Sequence, residues 1–171
     1  MSAGLRIGVL VLVAAVVQVT VLTGIRVLGA EPDLLLVTIV CVALVAGSLP
    51  GAIAGFAGGL AVDVMTLGTL GTTSILLTLA GYWAGRYGET TGRGRSYAPP
   101  LAAFAISLLA GIGGVTLHFL IGQPVSAREA LVVAAPSAVL AAVLALGVHP
   151  VCRAFVGAPD ALDGARQVEL V

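Results

Sequence analysis

Residues 51–85 read GAIAGFAGGLAVDVMTLGTLGTTSILLTLAGYWAG, two apolar segments joined by a short turn rich in glycine and threonine. The first segment carries a row of residues spaced by four, Gly51, Gly55, Gly59 and Asp63. On an α-helix such a row drifts by only about 40° per step, so it forms one slowly coiling stripe. The second segment repeats the spacing with Gly81 and Gly85. Small residues let helix backbones approach closely, so the pattern predicts a tightly packed helical hairpin.

The composition of the whole chain indicates whether it folds in water or in a lipid bilayer. Of its 171 residues, 59% are apolar and 9% are charged, and the mean hydropathy is +1.14. Soluble domains carry about 25% charged residues, so this chain is predicted to be an integral membrane protein. At about 20 residues per crossing it has room for at most about seven helices, in one membrane domain.

Hydropathy and turn residues divide the chain into six predicted transmembrane helices. They span residues 5–23, 34–48, 51–65, 72–86, 99–121 and 127–152, and residues 156–171 are predicted to form a loose cytoplasmic tail. The first segment is too long for the apolar core of a secretory signal, which has about 7–15 residues. The second and third are short, so a re-entrant hairpin is the alternative to two full spans.

Several residues mark helix ends or joints. Asp33 is placed to cap the helix at 34–48, and Gln18 is expected to form an interhelical hydrogen bond. Residues 48–51, SLPG, have turn chemistry. Pro136 predicts a kink or local break in the last helix.

The arginines predict the orientation. With six crossings and a cytoplasmic N-terminus, six arginines lie inside, Arg6, Arg86, Arg93, Arg95, Arg153 and Arg166. Only Arg26 and Arg128 lie outside, and positive charge is enriched in cytoplasmic loops. The bias predicts that both termini are cytoplasmic.

No set of residues points to catalysis. His118 and His149 form no H-x-x-x-H motif, the chain has no C-x-x-C motif, and Cys41 and Cys152 sit in or beside apolar segments. The glycines lie within apolar helices rather than in a phosphate-binding loop. We therefore expect no enzyme activity, cofactor, metal site or nucleic-acid partner.

Asp63 is the acidic residue inside the hairpin. Its expected partners are the free amides and hydroxyls that start the next helix, at Thr72, Thr73 and Ser74. Arg26 and Arg128 are alternatives. A proton or cation site is the functional interpretation, but a single carboxylate without a second acid or histidine makes no relay, so the structural role is favoured.

Two further groups of residues are candidate sites. One helix face in the fifth segment carries Ser107, Gly111, Gly114 and His118. Such a face more often contacts another helix than a ligand, although His118 could confer pH sensitivity. The basic loop with Arg86, Arg93 and Arg95 could hold lipid headgroups or a cytoplasmic protein. The charge bias alone already accounts for these arginines.

Four motifs carry a family resemblance. PDLLL at 32–36, GAIAGFAGGLAVD at 51–63, LGTLG at 67–71 and LAGYWAGR at 79–86 resemble the rod shape-determining protein MreD family. The resemblance implies a non-enzymatic, multi-pass subunit of the bacterial inner membrane that acts in cell elongation. It implies pairing with the MreC protein and association with the peptidoglycan polymerase RodA, its transpeptidase partner and the MreB cytoskeleton. It also implies a fold similar to the six-helix substrate subunits of energy-coupling-factor transporters.

Two functions follow as hypotheses. A membrane scaffold needs small-residue helix faces and no catalytic set, as found here. A small-solute-binding transporter subunit would need aromatic and polar side chains that converge, yet the first, second, third and sixth helices contain one aromatic residue, Phe56. The scaffold is favoured. Self-association, and whether the glycine stripe faces this chain or a partner, stay open at this point.

Overall fold

The computed structural model describes residues 3–22, 32–67, 69–91, 98–120, 122 and 127–156, without the side chains of His118 and residues 127–132. Most of these residues lie in helices. These residues form six α-helices and no strand. The helices are α1 (Ala3–Val17), α2 (Leu34–Ala46), α3 (Ser48–Thr66), α4 (Thr72–Thr91), α5 (Ala98–Leu120) and α6 (Ala127–Val156). A π-helical turn at Gln18–Leu22 extends α1.

The short helix α2 lies at the centre and contacts each of the other five helices. Eleven of its 13 residues are buried, in an unbroken run from Leu35 to Val45. A helix with apolar side chains on every face is typically buried on every face. The other helices therefore pack around α2, which is screened from lipid.

Four segments are long and apolar enough to cross a membrane: Ala3–Leu22, Ser48–Thr66, Ala98–Leu117 and Val133–Val156. This confirms the multi-pass membrane class. It does not establish six full spans, because α2 has 13 residues and rises only about 20 Å. Since α2 is surrounded by protein, its length need not match the bilayer. The cytoplasmic position of both termini and the likeness to transporter subunits stay predictions.

The junction of α2 and α3 is shorter than the sequence indicated. The chain turns at Gly47, whose φ of 105° favours glycine, and its amide donates to the Ala43 carbonyl at 2.8 Å. Ser48, Leu49 and Pro50 already belong to α3. The predicted turn at 48–51 was therefore wrong, because proline is tolerated in a first helical turn.

Two other boundaries differ from the predictions. Helix α4 continues to Thr91, five residues beyond its predicted end. Helix α6 runs unbroken through Pro136 and Pro150 to Val156, so the local break considered at Pro136 is absent. The predicted tail from residue 157 onward lies outside the described residues.

The helix termini lie at two opposite ends of the bundle. We call the end that holds Ala3, Ala46, Ser48 and Val156 the N-terminal end, since residues of these four helix termini line or border one groove there. At the opposite end, α1 meets the start of α2, and the end of α3 meets the start of α4.

Candidate functional site at the contact of α3 and α4

Helices α3 and α4 touch backbone to backbone at Gly51 and Gly81. A Cβ atom on Gly51 would lie 2.7 Å from the Gly81 carbonyl oxygen, and one on Gly81 would lie 2.6 Å from the Gly51 carbonyl carbon. No side chain fits at such distances. Glycine is required at both positions because the two helices approach this closely.

The same approach recurs along the whole contact. A Cβ on Gly55 would lie 2.9 Å from the Thr78 amide nitrogen, and one on Gly59 would lie 2.6 Å from that of Ser74. At the N-terminal end, a Cβ on Gly85 would lie 2.6 Å from the Gly47 carbonyl carbon. All five predicted stripe glycines therefore face a neighbouring backbone of this chain. The stripe is covered by the chain's own helices and is not free for a partner.

Two glycines outside the predicted set also serve packing. A Cβ on Gly58 would lie 2.8 Å from Val11 Cγ1 of α1, and one on Gly88 would lie 3.1 Å from the Leu44 carbonyl oxygen of α2. Gly88 continues the row of Gly81 and Gly85, so helical spacing could have revealed it. Together these contacts fix α3 and α4 against α1 and α2.

A buried carboxylate closes the turn between α3 and α4. Asp63 is 3% exposed, and its Oδ2 accepts a hydrogen bond of 2.8 Å from the Gly71 amide. The donor differs from the predicted Thr72, Thr73 and Ser74, because the turn brings the amide immediately before α4 to the carboxylate. Ser74 Oγ is buried and has no hydrogen-bond partner among the described residues.

A second carboxylate, which was not among the residues predicted from sequence, holds the other end of the pair. Glu89 Oε1 accepts hydrogen bonds from the amide and the hydroxyl of Ser48, at 2.8 and 2.9 Å. Its Oε2 lies 3.5 Å from Arg86 Nη1. An acid at a helix N-terminus satisfies free amides and is favoured by the helix dipole. Glu89 therefore caps α3 from α4.

The start of α2 is fixed by two polar side chains. Asp33 Oδ1 accepts from the Leu36 amide at 2.9 Å, so the predicted cap is present. Gln18 accepts from the Leu34 amide at 2.8 Å and donates to the Pro32 carbonyl at 3.2 Å. The hydrogen bond expected from Gln18 thus joins α1 to the backbone at the start of α2.

The predicted face of α5 does not form one packed surface. Ser107 is buried and Gly111 is exposed, with its ideal Cβ at an ordinary 3.5 Å from Ala134 Cβ. Gly114 is half-buried, and a Cβ there would lie 3.8 Å from Leu76 Cδ1. The His118 side chain lies outside the described part of the chain. The regular spacing predicted one continuous packing face, whereas these residues differ in burial and in the helices that they contact.

Only part of the predicted basic loop belongs to the described structure. Arg86 is exposed on α4, beside Glu89. Arg93 and Arg95 lie outside the described residues, as do Arg26 and Arg166, and the Arg128 side chain is also outside them. The proposed contacts of Asp63 with Arg26 or Arg128 therefore stay predictions.

The described side chains form a packing site rather than a cluster of reactive groups. Within the described ranges, no group of three histidine, cysteine, aspartate or glutamate residues could hold a metal ion. Cys41 and Cys152 are free and buried in the core. What the arrangement does is to hold two helices in rigid contact, with a carboxylate at each end.

The chain is similar to one protein family over nearly its whole length. A family model described as rod shape-determining protein MreD matches residues 3–157. No curated protein and no solved structure gives a match. The match covers all six helices, including the glycine contact, and it offers no support for the transporter-subunit alternative.

Proposed function

The chain belongs to the rod shape-determining protein MreD family, and from that premise we propose that it is a non-enzymatic scaffold of the bacterial inner membrane. In this role it binds an MreC-like membrane protein. Through that complex it links to RodA, its transpeptidase partner and the MreB cytoskeleton, and so helps to control peptidoglycan synthesis during elongation. Membership of the family is the observation that carries this proposal.

The division of α3 into two faces supports a scaffold role. Its inner face is used by the glycine contact with α4. Its outer face carries large apolar side chains that are 40–61% exposed, namely Ile53, Phe56, Leu60 and Val64. Since the glycines hold this face rigidly, it can present a fixed surface to lipid or to a partner's transmembrane helix.

Three arginines support the proposed orientation. Arg6 lies near the start of α1, Arg86 lies towards the end of α4, and Arg153 lies near the end of α6. All three belong to helix termini at the N-terminal end. Positive charge favours the cytoplasmic side, so we propose that this end is cytoplasmic.

The direct test is recovery of partners from the membrane. The tagged chain is purified in mild detergent from a rod-shaped bacterium that carries it, and co-purified proteins are identified by mass spectrometry. We expect an MreC-like protein together with wall-synthesis enzymes. Recovery of an ATPase module in their place would overturn the scaffold proposal.

A second experiment locates the partner face. A photo-crosslinking amino acid is placed singly at exposed positions on three helices, at Phe56 on α3, Leu109 on α5 and Val143 on α6. We expect at least one position to crosslink to the MreC-like protein and at least one to react with lipid only. Uniform lipid labelling at all three, with partner co-purification intact, would exclude these exposed faces as the binding surface.

A further inference from the structure

The two cysteines of the chain, far apart in sequence, meet in the core between α2 and α6. Cys41 lies in the buried run of α2, Cys152 lies near the end of α6, and both are 0% exposed. The two thiols are in hydrogen-bond contact with each other. Both are free, and the sequence holds no third cysteine that could compete for either. The fold therefore pairs two groups that can react with each other.

Small residues surround this contact on α6. Ala138, Ala141, Ala145 and Cys152 share one face of the helix, and each is at most 1% exposed. Helix α6 packs on α2, and both cysteines belong to the same hydrophobic core. Faces of small residues let two helices approach closely. A disulfide needs such an approach, because its Cα atoms are about 4.4–6.8 Å apart.

The surroundings of the pair favour a disulfide over a metal site. Two cysteines can bind a soft metal ion, but only as thiolates. Thiolates would place negative charge in an apolar core, which is costly, whereas a disulfide is uncharged. Within the described ranges, no group of three metal-binding side chains includes this pair. Oxidation is therefore the chemistry that the site can accommodate without further ligands.

We propose that Cys41 and Cys152 form a reversible disulfide when the cell is exposed to hydrogen peroxide. Peroxide is small and uncharged, so local opening of the bundle can admit it. One sulfur attacks a peroxide oxygen, the O–O bond breaks, and a sulfenic acid and one water form. The second sulfur then attacks the sulfenic sulfur, the S–S bond forms, and a second water leaves. The two thiols lose two electrons and two protons in total, and the peroxide takes up both.

The bond ties the central helix to the last one. The loop that it closes contains all of α3, α4 and α5, and closing a long loop restricts the unfolded chain. Both cysteines lie in the half of their helix nearer the N-terminal end. In the orientation proposed above this end is cytoplasmic, where cellular thiols keep cysteines reduced. The cross-link therefore forms only while peroxide is in excess.

The test follows the intact mass and the thermal midpoint of the purified full chain in detergent. After peroxide treatment we expect the mass to fall by two hydrogen atoms and the midpoint to rise by about 5–15 °C. A maleimide added after unfolding should label both cysteines before oxidation and neither after it. Dithiothreitol added to the unfolded, oxidised chain should restore both labels.

Variants with one thiol are the matched controls. Cys41→Ala and Cys152→Ala should show no rise in midpoint with peroxide, and Cys41→Ser replaces Cys41→Ala if the latter fails to fold. An exposed thiol from Leu109→Cys, in a chain without Cys41 and Cys152, verifies that the oxidant is active. Three outcomes would overturn the proposal: both maleimide labels kept under conditions that oxidise this exposed thiol, oxygen atoms gained without loss of hydrogen, or a midpoint lowered by oxidation.

Discussion

Asp63 near the end of α3 accepts a hydrogen bond of 2.8 Å from the Gly71 amide, which immediately precedes α4. At the other end of the same pair, Glu89 near the end of α4 accepts from Ser48 at the start of α3. Each helix therefore carries a carboxylate that accepts a hydrogen bond from a backbone amide at, or immediately before, the start of the other helix. Between these two hydrogen bonds, glycines bring the helices into backbone contact. The pair is the rigid element around which a membrane scaffold can be built.

We expect Asp63→Asn to fold almost normally and Asp63→Leu to be destabilised. Asparagine retains a side-chain oxygen that can accept from Gly71, whereas leucine leaves that amide unpaired. An unpaired buried donor lowers stability by about 1–3 kcal/mol. The measurement is the thermal unfolding midpoint of the purified protein in detergent.

The same pair of variants separates the structural role of Asp63 from a charge-specific one. Complementation of cell shape is scored at matched membrane levels. Asp63→Asn should restore rod shape if the carboxylate acts only as an acceptor. Rounded cells with normal amounts of this variant would instead indicate a proton or cation site.

We expect Gly55→Ala to separate α3 from α4. A Cβ at this position would lie 2.5 Å from the Leu77 carbonyl carbon, which belongs to the backbone and cannot rotate away. Overpacking of this kind destabilises by about 1–3 kcal/mol or more. Gly59→Leu should have a larger effect of the same kind, and co-purification of partners should fall with the amount of folded protein.

Gly147→Ala is the matched control for Gly55→Ala. Both are glycine-to-alanine changes within a helix, but a Cβ on Gly147 meets nothing within 4 Å. Alanine is favoured over glycine in a helix interior by about 0.5–1 kcal/mol, so this variant should be unchanged or slightly more stable. Equal midpoints for the two variants would mean that the backbone contact is not required.

The features that could be predicted from sequence are those that repeat locally. The four-residue spacing of Gly51, Gly55 and Gly59 defines one helix face, and Asp63 continues it, so a close contact and a polar partner at the start of the next helix were expected. The donor itself is the Gly71 amide, which was not among the predicted partners. The capping role of Asp33 depends on its neighbours in sequence. In contrast, Glu89 and Ser48 are 41 residues apart, and no local pattern links them.

The central position of α2 could not be predicted either, because its sequence has no local pattern that distinguishes one face from another. Periodicity locates a buried face only when a polar face opposes it, and residues 35–45 are apolar or weakly polar throughout. Hydropathy therefore predicted a short membrane span at 34–48 without indicating its position in the bundle, and the structure encloses α2 among the other helices. Its end was also misplaced, because Gly47 alone makes the turn assigned to residues 48–51.

We expect Glu89→Ala to destabilise the start of α3, and Glu89→Gln to be tolerated. Glutamine keeps an oxygen that can accept from the Ser48 amide and hydroxyl, and it loses the negative charge that faces Arg86 and the N-terminus of α3. Loss of a helix cap lowers stability by about 0.5–2 kcal/mol. An exposed ion pair contributes at most about 1 kcal/mol. Thermal midpoints in detergent should therefore rank wild type and Glu89→Gln above Glu89→Ala.

Arg86→Gln is the control for the ion pair. It removes the partner at 3.5 Å from Glu89 while leaving the cap intact. A small change is expected, and it should shrink further at high salt because exposed charges are screened. A loss as large as that of Glu89→Ala would assign the stabilisation to the ion pair instead of the cap.

We expect Leu67→Gly to stabilise the protein. Leu67 ends α3 with a φ of 52° and is 92% exposed, so its side chain gains little from packing. The left-handed conformation is unfavourable for a residue with a Cβ by about 1–2 kcal/mol, which exceeds the entropy that glycine adds to the unfolded chain. Leu70→Gly in the same turn, 67% exposed and without a positive φ, should bring no gain. A lower midpoint for Leu67→Gly than for Leu70→Gly would contradict this assignment of strain.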